Sequence, residues 1–174
     1  MKCPNCGKEM RSKVRDYEYI ESGLKNVVLK NIRVHDCKAC GELLPEISNV
    51  KQIHAWIAEY LLNKRTPLTG DEFRFLRKAT GKSAKETAER LAVTPVSVSR
   101  WENDKEKIGP QSDRLFRMAF IIDAELRPIP LEKCLETLRS ILSQAATAPR
   151  KVKPQRIEIP PRAIQRRQID LHDE

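Results

Sequence analysis

Aromatic side chains make up only 5% of the 174 residues, whereas 33% are charged. That balance argues against a single large core and for small modules. Histidines number only 3, at His35, His54 and His172, which leaves little material for a metal hydrolase. No stretch approaches the ~18 apolar residues of a membrane span. The start, Met1-Lys2-Cys3-Pro4, has no apolar run of the signal-peptide kind. The expected location is therefore cytoplasmic, where stable disulfides are rare. No βαβ pattern accompanies the cysteines, so a thioredoxin-type dithiol is disfavoured.

Cysteine is what the chain has in a telling pattern. Cys3-Pro4-Asn5-Cys6-Gly7 and Cys37-Lys38-Ala39-Cys40-Gly41 repeat one motif. Each pair sets two thiolates on a tight turn, and the following glycine can take the left-handed conformation that wraps the backbone round the sulfurs. Two such turns face to face supply the four soft ligands that Zn²⁺ prefers. The expectation is one structural Zn²⁺ per chain on Cys3, Cys6, Cys37 and Cys40. Iron in a rubredoxin-like site would use the same ligands. With four thiolates bound, no coordination position is left for catalysis. His35, two residues before Cys37, reads as a spare ligand or an ordinary strand residue. Cys134 sits apart on an expected helix and reads as a buried thiol.

Net charge is +9 and the pI about 9.5, which favours a polyanionic partner. Much of the excess lies in one tail, at Arg150, Lys151, Lys153, Arg156, Arg162, Arg166 and Arg167.

The pattern along the chain is α+β. Residues 1–45 form a small Zn(Cys)₄ β-hairpin module, turning at Glu21-Ser22-Gly23. Val28, Ile32 and Val34 share one strand face there, interrupted by Lys30. Val27, Val28 and Leu29 would offer an edge strand to a partner's sheet. Residues 46–68 are a helical linker with Val50, Ile53, Ile57, Tyr60 and Leu61 at helical spacing. Residues 69–126 carry short capped helices. Thr69 caps the first, whose stripe is Phe73 and Leu76, and Gly81 closes it. Ser83 with Glu86 forms a capping box on the second, and Thr94 with Pro95 starts the third. Ser112 is expected to cap a fourth, with Leu115, Met118, Ala119, Ile122 and Leu126 inward. Residues 127–146 hold a C-terminal helix with Leu131, Leu135, Leu138 and Leu142 on one face. Residues 147–174 are a basic, proline-containing tail expected to be disordered.

Only Ala92-Val93-Thr94 separates the second and third of these helices. Two helices crossing steeply need a small residue at the crossing, here Ala88, and an apolar plug in the turn, here Val93. Val98 and Trp101 would be buried, with Ser97, Arg100 and Asn103 outward, as in a helix-turn-helix. Lys82, Lys85, Lys105 and Lys107 flank that face. Residues 69–110 hold 9 basic and 7 acidic side chains, a net of only +2, so nonspecific DNA affinity should be modest.

Leu91-Ala92-Val93-Thr94-Pro95-Val96-Ser97-Val98-Ser99-Arg100-Trp101-Glu102 resembles the XRE/Cro-type helix-turn-helix signature. Two departures stand out: Ala92 replaces the usual turn glycine, and Ala84 an early glutamine. The order of C-P-x-C-G, strand-rich interval, second cysteine pair and Ser99-Arg100-Trp101-Glu102 resembles the MqsA antitoxins, also called the YgiT-type zinc-finger family. The resemblance covers residues 1 to about 126. It implies a zinc module that binds a ribonuclease-type toxin protein, and a helical domain that dimerises and represses the operon. It also implies base reading at Arg100. The family's base-reading asparagine is Val96 here, so operator sequence should differ.

The expected function is thus the antitoxin of a type II toxin–antitoxin system, not an enzyme. It would act as a homodimer on double-stranded operator DNA through Lys85, Thr94, Val96, Ser97, Arg100, Asn103 and Lys105. The alternative is a stand-alone zinc-containing transcriptional regulator without a toxin.

Overall fold

The computed structural model describes residues 1–123, 131–143 and 155–164. The chain folds into two compact units. The first comprises Met1–Ile20, Lys25–Trp56 and, of the described C-terminal residues, 155–164. The second holds Glu21–Leu24 and the residues from Ile57 onward to 154. Their boundary falls inside helix α1 (Val50–Asn63), between Trp56 and Ile57.

The first unit is an α+β zinc-type module built on four strands. β1 (Arg11–Glu18) and β2 (Val27–Asp36) form an antiparallel hairpin. β3 (Leu43–Pro45) pairs antiparallel with the last residues of β2, Val34 to Asp36. β4 (Ile157–Ile159) pairs parallel with its first residues, Val27 to Leu29. β2 is therefore the central strand. The expected open edge at Val27, Val28 and Leu29 does not exist, because that backbone lies between β1 and β4. Among the described residues β1, β3 and β4 each pair with β2 alone, and β1 is the longest strand whose outer edge meets no further strand.

The phase of β2 also differs from the expected one. Arg15 stands opposite Ile32 and Tyr17 opposite Leu29, so Lys30 and Asn31 together face Asp16. This is a β-bulge, and one extra residue reverses the alternation beyond it. Leu29, Ile32 and Val34 consequently share a face, and all are buried. Asn31 takes φ 51°, a left-handed conformation that asparagine tolerates better than most residues. Asp16 braces the bulge, accepting from Asn31 N at 3.1 Å and from the Lys30 ammonium. Those two bonds hold the Asp16 carboxyl below its ordinary pKa.

The C-terminal segment departs from expectation as well. Within 147–174, residues 155–164 form β4 and a short helix α7 (Pro161–Ile164) that packs on β2. The rest of that stretch lies outside the described residues. Ile157, Ile159 and Ile164 are buried. Burying one such side chain contributes at most about 1.5–3 kcal/mol, enough to overcome a polar and proline-rich context.

The second unit is helical: α2 (Gly70–Ala79), α3 (Ala84–Arg90), α4 (Pro95–Glu102), α5 (Pro110–Asp123) and α6 (Leu131–Ser143). Capping boxes close on Thr69 with Glu72 and on Ser83 with Glu86. Gly81 has φ 70° after α2, as its place at the helix end requires. Phe73 stacks on Phe116 at 4.0 Å and meets Trp101 edge-on at 5.9 Å. Gly70 is required by close approach, since a Cβ there would sit 2.5 Å from Trp101 O.

α5 turns a different face inward from the one expected. It begins at Pro110, not after Ser112, and buries Asp113, Phe116, Arg117 and Phe120. Leu115 and Ile122 are exposed, and Leu126 lies outside the described residues. The cause is an internal ion pair. Arg117 Nε lies 3.0 Å from Asp113 Oδ2, and the guanidinium donates to the carbonyls of Leu61, Leu62, Lys64 and Thr66. Asp113 Oδ1 in turn accepts from Leu68 N at 3.0 Å. Arg117 thus occupies the inner face because carbonyls at the end of α1 and just beyond it accept its donors, and Asp113 because it meets that guanidinium and the Leu68 N–H. α6 likewise buries Thr137 and Ile141, while Leu135 and Leu142 of its expected stripe are exposed.

Candidate metal centre and nucleic-acid interface

The two cysteine turns are built alike. Gly7 N donates to Cys3 O and Gly41 N to Cys37 O, both at 2.9 Å. Cys3 N donates to Lys8 O at 2.8 Å and Cys37 N to Glu42 O at 2.9 Å. Gly7 and Gly41 have φ 72° and 76°, so each knuckle turns through the left-handed region that the glycine supplies. β2 carries Cys37 at its end, and Met10 before β1 packs on Cys3 and Cys37 with Leu44 of β3 at the margin.

The four Sγ atoms converge within 4.8 Å of one another. Cys3 and Cys40 sulfurs lie 3.6 Å apart, and those of Cys6 and Cys37 3.4 Å. A tetrahedron with Zn–S of 2.3 Å has sulfur–sulfur edges of about 3.8 Å. The set therefore fits one structural zinc. The thiols also need a cation to ionise together. N–H groups of Ala39 and Cys40 hold Cys37 down at about 6. Cys40, although the Glu42 N–H pulls it down, is pushed up to about 12 by desolvation and by the neighbouring sulfurs. A divalent ion removes that conflict by coordinating all four as thiolates. His35 is not a ligand. Its Nε2 pairs with Glu46 Oε1 at 2.7 Å, outside the cluster.

In the helical unit, α3 and α4 meet through Ala88, Leu91 and Val98, all buried. Ala92 has φ 52°, the conformation a turn glycine would relieve. Val93 is only half-buried, less of a plug than expected. Thr94 Oγ1 accepts from Ser97 N at 3.1 Å and pairs with Ser97 Oγ at 3.0 Å. At the other end Glu102 is buried and held by Arg77, whose Nη2 donates to its Oε2 at 3.1 Å. α4 is thereby fixed at both ends.

Its outward face carries Val96 and Arg100, 61% and 60% exposed for residue and side chain respectively. Arg100 lies 3.7 Å from Glu106, a solvent-exposed pair that costs little to break. Lys85 and Lys105 are exposed as expected. Asn103 is exposed as expected, and its side chain is engaged within the protein. It caps the C-terminal end of α4, donating to Ser99 O at 2.7 Å and accepting from Arg74 Nη2 at 3.2 Å. Ser99 is exposed beside Arg100, a neighbour that sequence reasoning passed over because serine gives no helical-face signal of its own. Lys82 faces Asp123 at 3.8 Å, and Arg90 pairs with the same carboxylate.

A centre closed by four thiolates holds structure and offers no site to a substrate, so the first unit ranks among the structural zinc modules. Residues 1–122 match the family described as the antitoxin component of bacterial toxin-antitoxin systems, MqsA, and the chain belongs to that family. No curated protein and no solved structure matches it. Among the described residues, no helix is long and apolar enough to cross a membrane.

Proposed function

We propose that this antitoxin neutralises a ribonuclease-type toxin through its zinc unit and represses its own operon through α3 and α4. The reading rests on family membership together with the exposed, doubly anchored face of α4. In a helix-turn-helix the second helix enters the major groove with its N-terminal part toward the bases. Thr94, Val96 and Ser97 occupy that part, and Arg100, one turn beyond Val96 on the exposed face, has the reach and fork for a guanine edge. Lys85 and Lys105 stand where phosphates would pass. Asn103 then serves α4 from its C-cap rather than a base.

One such helix reads a short half-site, so the operator should be palindromic and the protein a homodimer. Leu115 and Ile122 on α5, with Leu135 and Leu142 on α6, leave apolar surface exposed for self-association. On the toxin side, the open outer edge of β1 is the place for strand addition. Because the metal is saturated, no step in this reading is catalytic.

The test separates the two activities in the full-length chain. Arg100→Ala should lose about 1–3 kcal/mol of operator affinity and still neutralise the co-expressed toxin. Cys37→Ser should fail to neutralise while retaining operator binding. Equal operator affinity for wild type and Arg100→Ala would exclude α4 as the reading helix. Neutralisation by Cys37→Ser would exclude the zinc unit as the toxin-binding part. A native host that yields no small partner protein would favour a stand-alone regulator.

A further inference from the structure

Residues 155–164 lie beyond the family match, yet they complete the zinc unit's sheet. Ile157 stands opposite Val27, Glu158 opposite Val28 and Ile159 opposite Leu29. Ile157 N donates to Asn26 O at 2.7 Å. The Asn26 side chain donates to Gln155 O at 2.6 Å. Ser48 Oγ donates to Ile164 O at the other end. Ile157 and Ile159 are 2% and 1% exposed, while Glu158 between them points to solvent.

This arrangement has the features of a strand-addition ligand. Main-chain bonds supply affinity, and alternate side chains in apolar positions supply specificity. The strand is only three residues long and has no hairpin partner of its own. Parallel pairing is slightly weaker per residue than antiparallel. Pro160 and Pro161 follow at once and cannot donate to a ladder, so the strand cannot lengthen. Among the described residues, β2 is the strand on which Ile157–Ile159 docks as extended chain.

We propose that the edge of β2 at Val27–Leu29, with Asn26 and Ser48, is a docking site for a short Ile-x-Ile-Pro strand. Its resident occupant is the chain's own segment 155–164, bound in cis and exchangeable. The tether gives that segment an effective concentration up to the millimolar range. In the free protein the edge is closed. A partner strand of the same pattern enters only by displacing the occupant. This inference stands apart from the toxin and operator reading, since it concerns neither β1 nor α4.

The test uses the full-length, zinc-loaded chain with a specific protease site placed between residues 147 and 152. After cleavage the C-terminal fragment should stay bound through gel filtration. Excess synthetic peptide of residues 153–164 should displace it. The same peptide with Ile157→Asp and Ile159→Asp should need at least tenfold higher concentration. A fragment that separates on cutting, or one that no peptide displaces, overturns the proposal. In the uncut chain, Ile157→Asp/Ile159→Asp should keep one zinc and bind labelled wild-type peptide at least tenfold more tightly than wild type does. Loss of zinc from that variant overturns the proposal too, because the sheet would not be a finished receptor without its occupant. Lys30 Nζ lies 3.8 Å from Glu158 Oε1, within reach of carbodiimide coupling. In a mixture of isotopically heavy and light chains, this cross-link should join only chains of like isotope. Mixed pairs would mean that a second copy supplies the strand, and would overturn occupancy in cis.

Discussion

Replacing Arg117 by methionine keeps most of the stem and removes the charge. The guanidinium is 2% exposed and donates to four carbonyls, those of Leu61, Leu62, Lys64 and Thr66, at 2.6–3.2 Å. Hydrogen bonds from a charged donor net about 1.5–3 kcal/mol each, but bonds to one group are not additive. The substitution also leaves Asp113, 6% exposed, without its counter-charge. Breaking a buried pair on one side costs about 3–5 kcal/mol. A unit of about 100 residues holds on the order of 5–15 kcal/mol in all, so Arg117→Met should remove a large share of its stability. Adding Asp113→Asn removes the stranded charge, while its side-chain oxygen can still accept from Leu68 N. The double variant should regain about 1–2 kcal/mol. Urea unfolding of zinc-loaded protein, followed by tryptophan emission, measures both. A loss below about 1 kcal/mol for Arg117→Met, or a double variant weaker than the single, would refute the clamp.

Three further outcomes are expected. Cys3→Ser or Cys40→Ser should release zinc and unfold the first unit while leaving the helical one folded, because metal binding is folding energy there; metal analysis with limited proteolysis checks this, and retained stoichiometry would contradict it. Ala92→Gly should stabilise the helical unit by about 1 kcal/mol, since alanine is held at φ 52° where glycine is unstrained; an unchanged melting temperature would count against the strain. Burial lowers the His54 pKa below its ordinary 6.5, so the unfolded chain takes up the proton first. Stability linked to His54 is therefore whole above pH 6.5 and declines as pH falls toward its folded value. His54→Gln should flatten the profile between pH 7 and 5, and an unaltered slope would rule the linkage out.

The zinc site and the α2–α4 caps were legible because local chemistry sets them. A cysteine pair followed by glycine, or a Thr-x-x-Glu ahead of a helix, carries its geometry in a few neighbouring residues. The features misjudged depend on distant partners. Leu115 and Ile122 looked like a core stripe, but α5 turns Arg117 inward to carbonyls and Asp113 inward to the Leu68 N–H, some fifty residues upstream. Lys30 looked like an interruption of a strand face, whereas the bulge at Asn31, braced by Asp16, shifts the whole register. β4 was hidden in a basic, proline-containing tail. The alternation of Ile157, Glu158 and Ile159 between Pro154 and Pro160 was the available signal, and three residues are too few to stand out against such surroundings. Val96 and Arg100 emerged on the surface as expected, because the positions of Val98 and Trp101 left that face no other direction.

The return of the C-terminal segment to β2 has a consequence for synthesis on the ribosome. Asn26 and Gln155 are bonded across 129 residues, with the helical unit encoded between them. At a translation rate of about 5–20 residues per second, β4 emerges roughly 6–26 s after β2. The helices, whose contacts are closer in sequence, have time to fold within that interval. The zinc sheet meanwhile waits with Val27–Leu29 uncovered on one side. A sheet begun before the helical unit is thus completed after it, and a nascent chain can hold its metal before its sheet is closed.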